Sequence, residues 1–137
     1  MKKIIWPGIL AAIVTFIVGM GLTFLYNAVF PAIKAEYENT GLFRSAQDPL
    51  MMVFFAYPLV LGIALSWLWD KTKSSFKGTT AQRGINFGIA YFIIATIPGM
   101  FITYTSFQVS LLMVLIWTLS GLINGMIAGS IFARMNP

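Results

Sequence analysis

Chemistry in a protein needs side chains that move protons, attack carbonyls or hold metals, and in this chain they are sparse. The acids are Glu36, Glu38, Asp48 and Asp70, and there is no histidine and no cysteine in 137 residues. Heme and most transition-metal sites use imidazole or thiolate, so neither is expected. Metal-assisted hydrolysis of phosphate esters needs clustered carboxylates, and these four are scattered. The eight methionines are dispersed through apolar sequence, which fits packing better than ligation. Without cysteine there is no disulfide and no thiol redox chemistry. The expectation is a non-enzymatic protein with no cofactor and no metal.

The elements that would have to position any site belong to a membrane. Hydrophobic residues make up 58% of the chain, charged residues only 9%, and the mean hydropathy is +0.84. A soluble domain carries about a quarter charged residues because water must wet its surface. Lipid is the solvent that remains.

A spanning helix needs about 20 apolar residues to cross about 30 Å of hydrocarbon. Three charge-free runs meet that length: 4–32, 49–69 and 84–133, the last long enough for two spans. Its natural break is the polar, uncharged Thr103-Tyr104-Thr105-Ser106-Phe107-Gln108. Helices are therefore expected near 4–30, 49–69, 84–104 and 107–133 of a single domain, an all-α integral membrane bundle. Asp48-Pro49 supplies an N-cap acceptor and a first-turn proline for the second. The first run exceeds a signal-peptide core, and Ala28-Val29-Phe30-Pro31 offers no cleavage site, so it reads as a retained helix.

Lys and Arg concentrate in cytoplasmic loops. Lys2, Lys3, Lys71, Lys73, Lys77, Arg83 and Arg134 fall on one side, against Lys34 and Arg44 on the other. Both termini and the 70–83 loop are thus expected in the cytoplasm (N-in, C-in), in the plasma or inner membrane. Trp6, Trp67 and Trp69 fall at the inner boundary; Tyr26, Phe30, Phe101, Tyr104 and Phe107 fall near the outer one. Topology and anionic lipid account for the +5 net charge, and no nucleic-acid partner is expected.

Inside the spans only mild polar groups remain. Asn86, Thr96 and Asn124 are candidates for a polar cavity, and an amide as deep as Asn124 needs a partner, from an interhelical hydrogen bond or from a ligand path. Pro58 and Pro98 interrupt the second and third helices, each crowding the carbonyl four residues back, at Phe54 and Ile94. Proton-coupled transport usually places an acid within a span, and none is found there. Small multidrug exporters match in size but carry a glutamate in the first helix, which this one lacks. The Gly-Arg-Asn and paired-phenylalanine motifs of fluoride channels are also missing.

The clearest pattern is small residues spaced by four: Gly121, Gly125, Gly129 and Ala133 in the fourth helix, Gly84 and Gly88 opening the third, Ala11, Thr15, Gly19 and Thr23 in the first. Such stripes let helix backbones approach closely in lipid. They fit a neighbour within the chain or a second copy equally well. A shift of 80 positions aligns Gly8, Ile9, Ile13, Ile17, Gly19, Met20 and Thr23 with Gly88, Ile89, Ile93, Ile97, Gly99, Met100 and Thr103. The halves then read as two parallel helix-pair repeats. In the outer loop, 32–39 can form two helical turns with Ile33 and Tyr37 on one face and Gly41 as terminator, an amphipathic piece expected to lie on the outer leaflet.

Phe24-Leu25-Tyr26-Asn27 with Phe30-Pro31 closing the first helix, Pro49-Leu50-Met51-Met52 opening the second, Gly84 and Gly88, and the closing glycine row resemble small four-helix bacterial membrane proteins classed as a domain of unknown function. That resemblance implies a four-helix fold and brings no activity or site residues. The functional expectation is an accessory or scaffold subunit, partnered by the bilayer and by a second copy or a larger membrane complex. The alternative is a small permeation or ligand-binding protein using a cavity near Pro58, Pro98 and Asn124.

Overall fold

The computed structural model describes every residue except Thr40 and Ala46. The chain is all-helical, with no strand among the described residues. In order it forms α1 (Lys2–Val29), α2 (Pro31–Tyr37), α3 (Met51–Phe54), α4 (Tyr57–Thr72), a 3-10 turn (Lys73–Ser75), α5 (Thr80–Tyr91), a π turn (Phe92–Thr96), α6 (Ile97–Ser106) and α7 (Leu111–Met135). These compose four stretches long and apolar enough to cross a membrane: Lys2–Val29, Met51–Ser75, Thr80–Ser106 and Leu111–Met135. The chain is a multi-pass membrane protein by that measure.

Local chemistry sets the ends. Phe30 precedes proline, which disfavours the helical region, and its φ of −123° and ψ of 88° end α1. The second span begins at Met51, not at Pro49: Asp48 accepts from the Leu50 amide at 2.8 Å and pairs with Arg44, closing a turn two residues before the helix. The third begins four residues before the expected Gly84, because Thr79 and Gln82 form a capping box. Gly78, at φ 105°, makes the turn leading into that cap. The fourth begins at Leu111 because Ser110 accepts from the Met113 amide at 3.1 Å and caps it.

Both prolines sit at helix breaks. Pro58 lies in the first turn of α4, just after the chain leaves α3 at Phe54, and Pro98 lies in the first turn of α6, just after the π turn. In each case the disturbed carbonyl four residues back, Phe54 or Ile94, falls where regular α-helix is lost.

The spans pack as two close pairs, α1 with α4 and α5 with α7, joined chiefly along α1 and α7. Glycine sets the closeness of both. A Cβ on Gly8 would lie 2.7 Å from the Ile63 Cα, and one on Gly84 2.6 Å from the Gly129 carbonyl oxygen. Gly88 likewise meets the Gly125 carbonyl, and a Cβ there would lie 2.6 Å from the Met126 Cα. Gly125 has a little more room, 3.1 Å to the Gly88 oxygen, while Gly121 faces the Thr96 methyl at 2.6 Å.

The pairs also share detail. Gly8 and Gly88, 80 positions apart, each meet a partner-helix glycine, Gly62 or Gly125. Seven residues beyond those glycines stand Trp69 and Phe132, both fully buried. Thr23 and Thr103 each donate to the carbonyl four residues back, Gly19 at 3.0 Å and Gly99 at 2.8 Å. The proline breaks depart from the repeat: one is in the second helix of its pair, the other in the first.

Candidate functional site

Three places gather polar or aromatic groups. The first lies at the end of the molecule holding both termini, where Trp69, Phe76, Phe87 and Phe132 form a chain of stacked and edge-on rings 5.4–6.0 Å apart. Arg83 lies over the Trp69 ring at 5.5 Å and donates to the Lys73 carbonyl at 3.2 Å. Asn136, 2% exposed, closes this end. Its carbonyl accepts from Trp69 Nε1 at 2.8 Å, its amide nitrogen donates to Asp70 at 2.9 Å, and its amide oxygen accepts from Lys73 Nζ at 2.6 Å. The segment after α7 is thereby tied to the end of α4, linking the two pairs. Trp69 is fully buried and is therefore a core residue, not part of the interface belt expected from its position; Trp6 and Trp67 are exposed, as a belt requires.

The second is at the opposite end. Ile33, 1% exposed, packs with Met113 and Ile116 of α7, and the Tyr37, Phe43 and Trp117 rings meet in tilted and edge-on contacts with centroids 5.6–6.3 Å apart. Trp117 Nε1 donates to the Tyr37 hydroxyl oxygen at 2.6 Å, and the Ser110 amide donates to the Glu36 carboxylate at 2.7 Å. The expected outer-leaflet helix is thus corrected: α2 turns its apolar face onto α7 instead of into headgroups, because Ile33 finds protein to bury against. The Gly41 amide donates to the Asn39 side chain at 3.0 Å. Burial raises the Tyr37 pKa, outweighing the Trp117 hydrogen bond. Arg44, with the Leu50 amide, lowers that of Asp48.

The third is the middle of the bundle. Asn124 lies beside Gly19 of α1, and its amide oxygen is buried with no partner among the described residues. The Asn27 amide oxygen and the Ser66 hydroxyl share that condition. Thr96 meets Gly121, whereas Asn86 is exposed on the far side of α5 from Gly84 and Gly88. Asn86 and Thr96, ten residues apart, are separated by about 15 Å along the helix. Among the described residues, crevices of about 200 and 220 Å³ indent the surface. One is lined by Ile97, Met100, Phe101, Tyr104, Leu111, Val114 and Thr118; the other, by Ala12, Ile13, Phe16, Phe55, Pro58 and Leu59. Neither is lined by Asn86, Asn124 or an acid. No three acids lie close enough to hold a metal among the described residues.

The Trp69–Asn136 tie escapes sequence reading because its partners are 67 residues apart. No protein-family model matches the chain, and no curated protein or solved structure is significantly similar to it.

Proposed function

We propose that this chain is a non-enzymatic accessory or scaffold subunit of the plasma membrane, with both termini and the 70–83 loop in the cytoplasm, that acts by packing against partner helices. One observation carries it: Asn86 is exposed on the far side of α5, Thr96 meets Gly121 and Asn124 lies beside Gly19, so the polar groups that a solute path would need line neither of the two crevices, whose walls are chiefly apolar. The seven-to-two distribution of basic residues supports the orientation.

The second reading, a small permeation protein, draws on the unpartnered amide oxygens of Asn27 and Asn124, which water or a solute could satisfy. Single cysteines separate the two, against a background with no native thiol. In intact cells an impermeant maleimide should label Asn39→Cys from outside, Ser75→Cys only after permeabilisation, and Asn124→Cys under neither condition. Ready labelling at Asn124→Cys would favour the permeation reading, and equal outside labelling of the first two would overturn the orientation.

A further inference from the structure

The basic residues at the end that holds the termini divide into two kinds. Lys73 and Arg83 are used within the fold, Lys73 by Asn136, the Pro137 carbonyl and Asp70, Arg83 by the Lys73 carbonyl and the Trp69 ring. Lys2, Lys3, Lys71, Lys77 and Arg134 are exposed, and none has a side-chain hydrogen bond or ion pair among the described residues. The one acid nearby, Asp70, is held by Asn136 at 2.9 Å and lies 3.8 Å from Lys73. Asp70 also feels Lys71 and Lys3 through space, but it is one acid against seven basic side chains at this face, so positive charge remains in excess.

Two of them stand in a repeated arrangement. Lys2 and Trp6 are four apart on α1, and Trp67 and Lys71 are four apart on α4, so each lysine lies one turn nearer the terminal face than a tryptophan on the same side of its helix. Both indoles are exposed, 61% for Trp6 and 52% for Trp67. An exposed tryptophan seats at the headgroup boundary, and a lysine about 6 Å further along reaches the depth of the phosphates. The α5–α7 pair lacks this arrangement: one turn into the span from Arg83 is the buried Phe87, and from Arg134 is Ser130.

We infer that the rim of the α1–α4 pair is a recognition surface for anionic phospholipid, with Lys2 and Lys71 holding headgroup phosphates and Trp6 and Trp67 fixing the depth. Charge complementarity selects the occupant: a rim whose basic side chains outnumber its one acid, set beside exposed indoles, fits a negatively charged headgroup and gives a zwitterionic one no comparable attraction. Attraction of this kind raises the preference about fivefold per lysine at the surface.

Quenching of tryptophan by brominated lipid measures it. The purified chain is reconstituted in symmetric vesicles of phosphatidylglycerol and phosphatidylcholine, with bromine on one lipid and then on the other, so insertion direction does not affect the readout. Trp6→Phe and Trp67→Phe identify the signal against Trp69 and Trp117. The wild type should favour the anionic lipid severalfold at both indoles, and less so at high salt. Lys2→Gln with Lys71→Gln should bring the two lipids near parity, while Lys2→Arg with Lys71→Arg and the loop variant Lys77→Gln should keep the preference. Equal quenching in the wild type would overturn the inference. So would a preference that survives the double glutamine variant.

Discussion

The indole nitrogen of Trp69 donates to the carbonyl of Asn136 at 2.8 Å, joining the end of α4 to the segment that follows α7. At the opposite face the Trp117 indole donates to Tyr37, joining α2, which follows α1, to the start of α7. The two glycine-packed pairs are thus fastened to each other at both ends. Between those ties, their shared seam includes Asn124, whose buried amide oxygen has no partner among the described residues.

Asn136→Ala keeps the carbonyl that Trp69 uses but removes the amide that joins Asp70 to Lys73. The expected cost is about 1–3 kcal/mol, from hydrogen bonds to charged groups. Thermal denaturation in mild detergent should show a lower midpoint, whereas Asn39→Ala, which removes only an exposed turn contact, should leave it nearly unchanged. A parental midpoint for Asn136→Ala would mean the tie contributes nothing.

The glycines should separate by position. Gly88→Ala and Gly129→Ala drive a methyl into a facing backbone carbonyl and should each cost about 1–3 kcal/mol or more. Gly125→Ala, with 3.1 Å available, should cost less. Gly21→Ala and Gly99→Ala meet nothing within 4 Å and should gain about 0.5–1 kcal/mol from helix preference. The same detergent melts read the series, and equal effects at all five positions would contradict the two-pair packing.

Ile33→Ala tests the docking of α2. A side chain 1% exposed against Met113 and Ile116 should cost about 2–5 kcal/mol when truncated. Were α2 lying loosely on the leaflet, the change would be close to neutral, as Leu50→Ala at an exposed site should be.

The span pattern was legible because charge-free length is a one-dimensional signal: residues 4–32, 49–69 and 84–133 form the apolar middle of the four spans, whose ends fall within a few residues of theirs. The proline breaks were legible for the same reason, since Pro58 and Pro98 act on their own backbone. Helix starts were less so. The Thr79–Gln82 box and the Ser110 cap are local, but they lie in polar sequence where hydropathy has no contrast. Partnership was not legible at all. The four-residue spacing singled out Gly84, Gly88, Gly125 and Gly129 without saying that they face one another, and it passed over Gly62, whose counterpart Gly8 lies in another helix. Ile33 looked amphipathic either way, because a lipid-facing and a protein-facing apolar residue have the same composition. For the candidate site, types alone grouped Asn86 with Thr96 and Asn124, and helical phase then set Asn86 apart.

The central claim, that this chain works by packing with partner helices, is tested most directly by its mass in a native membrane. Extraction into polymer-bounded lipid discs, without detergent, followed by native mass spectrometry gives the assembly carrying the 15.2 kDa chain. The account predicts a defined complex at fixed stoichiometry, retained by Asn124→Ala and weakened by substitutions on a lipid-exposed helix face. A monodisperse monomer bearing only lipid, together with solute flux from the purified chain that Asn124→Ala abolishes, would contradict it.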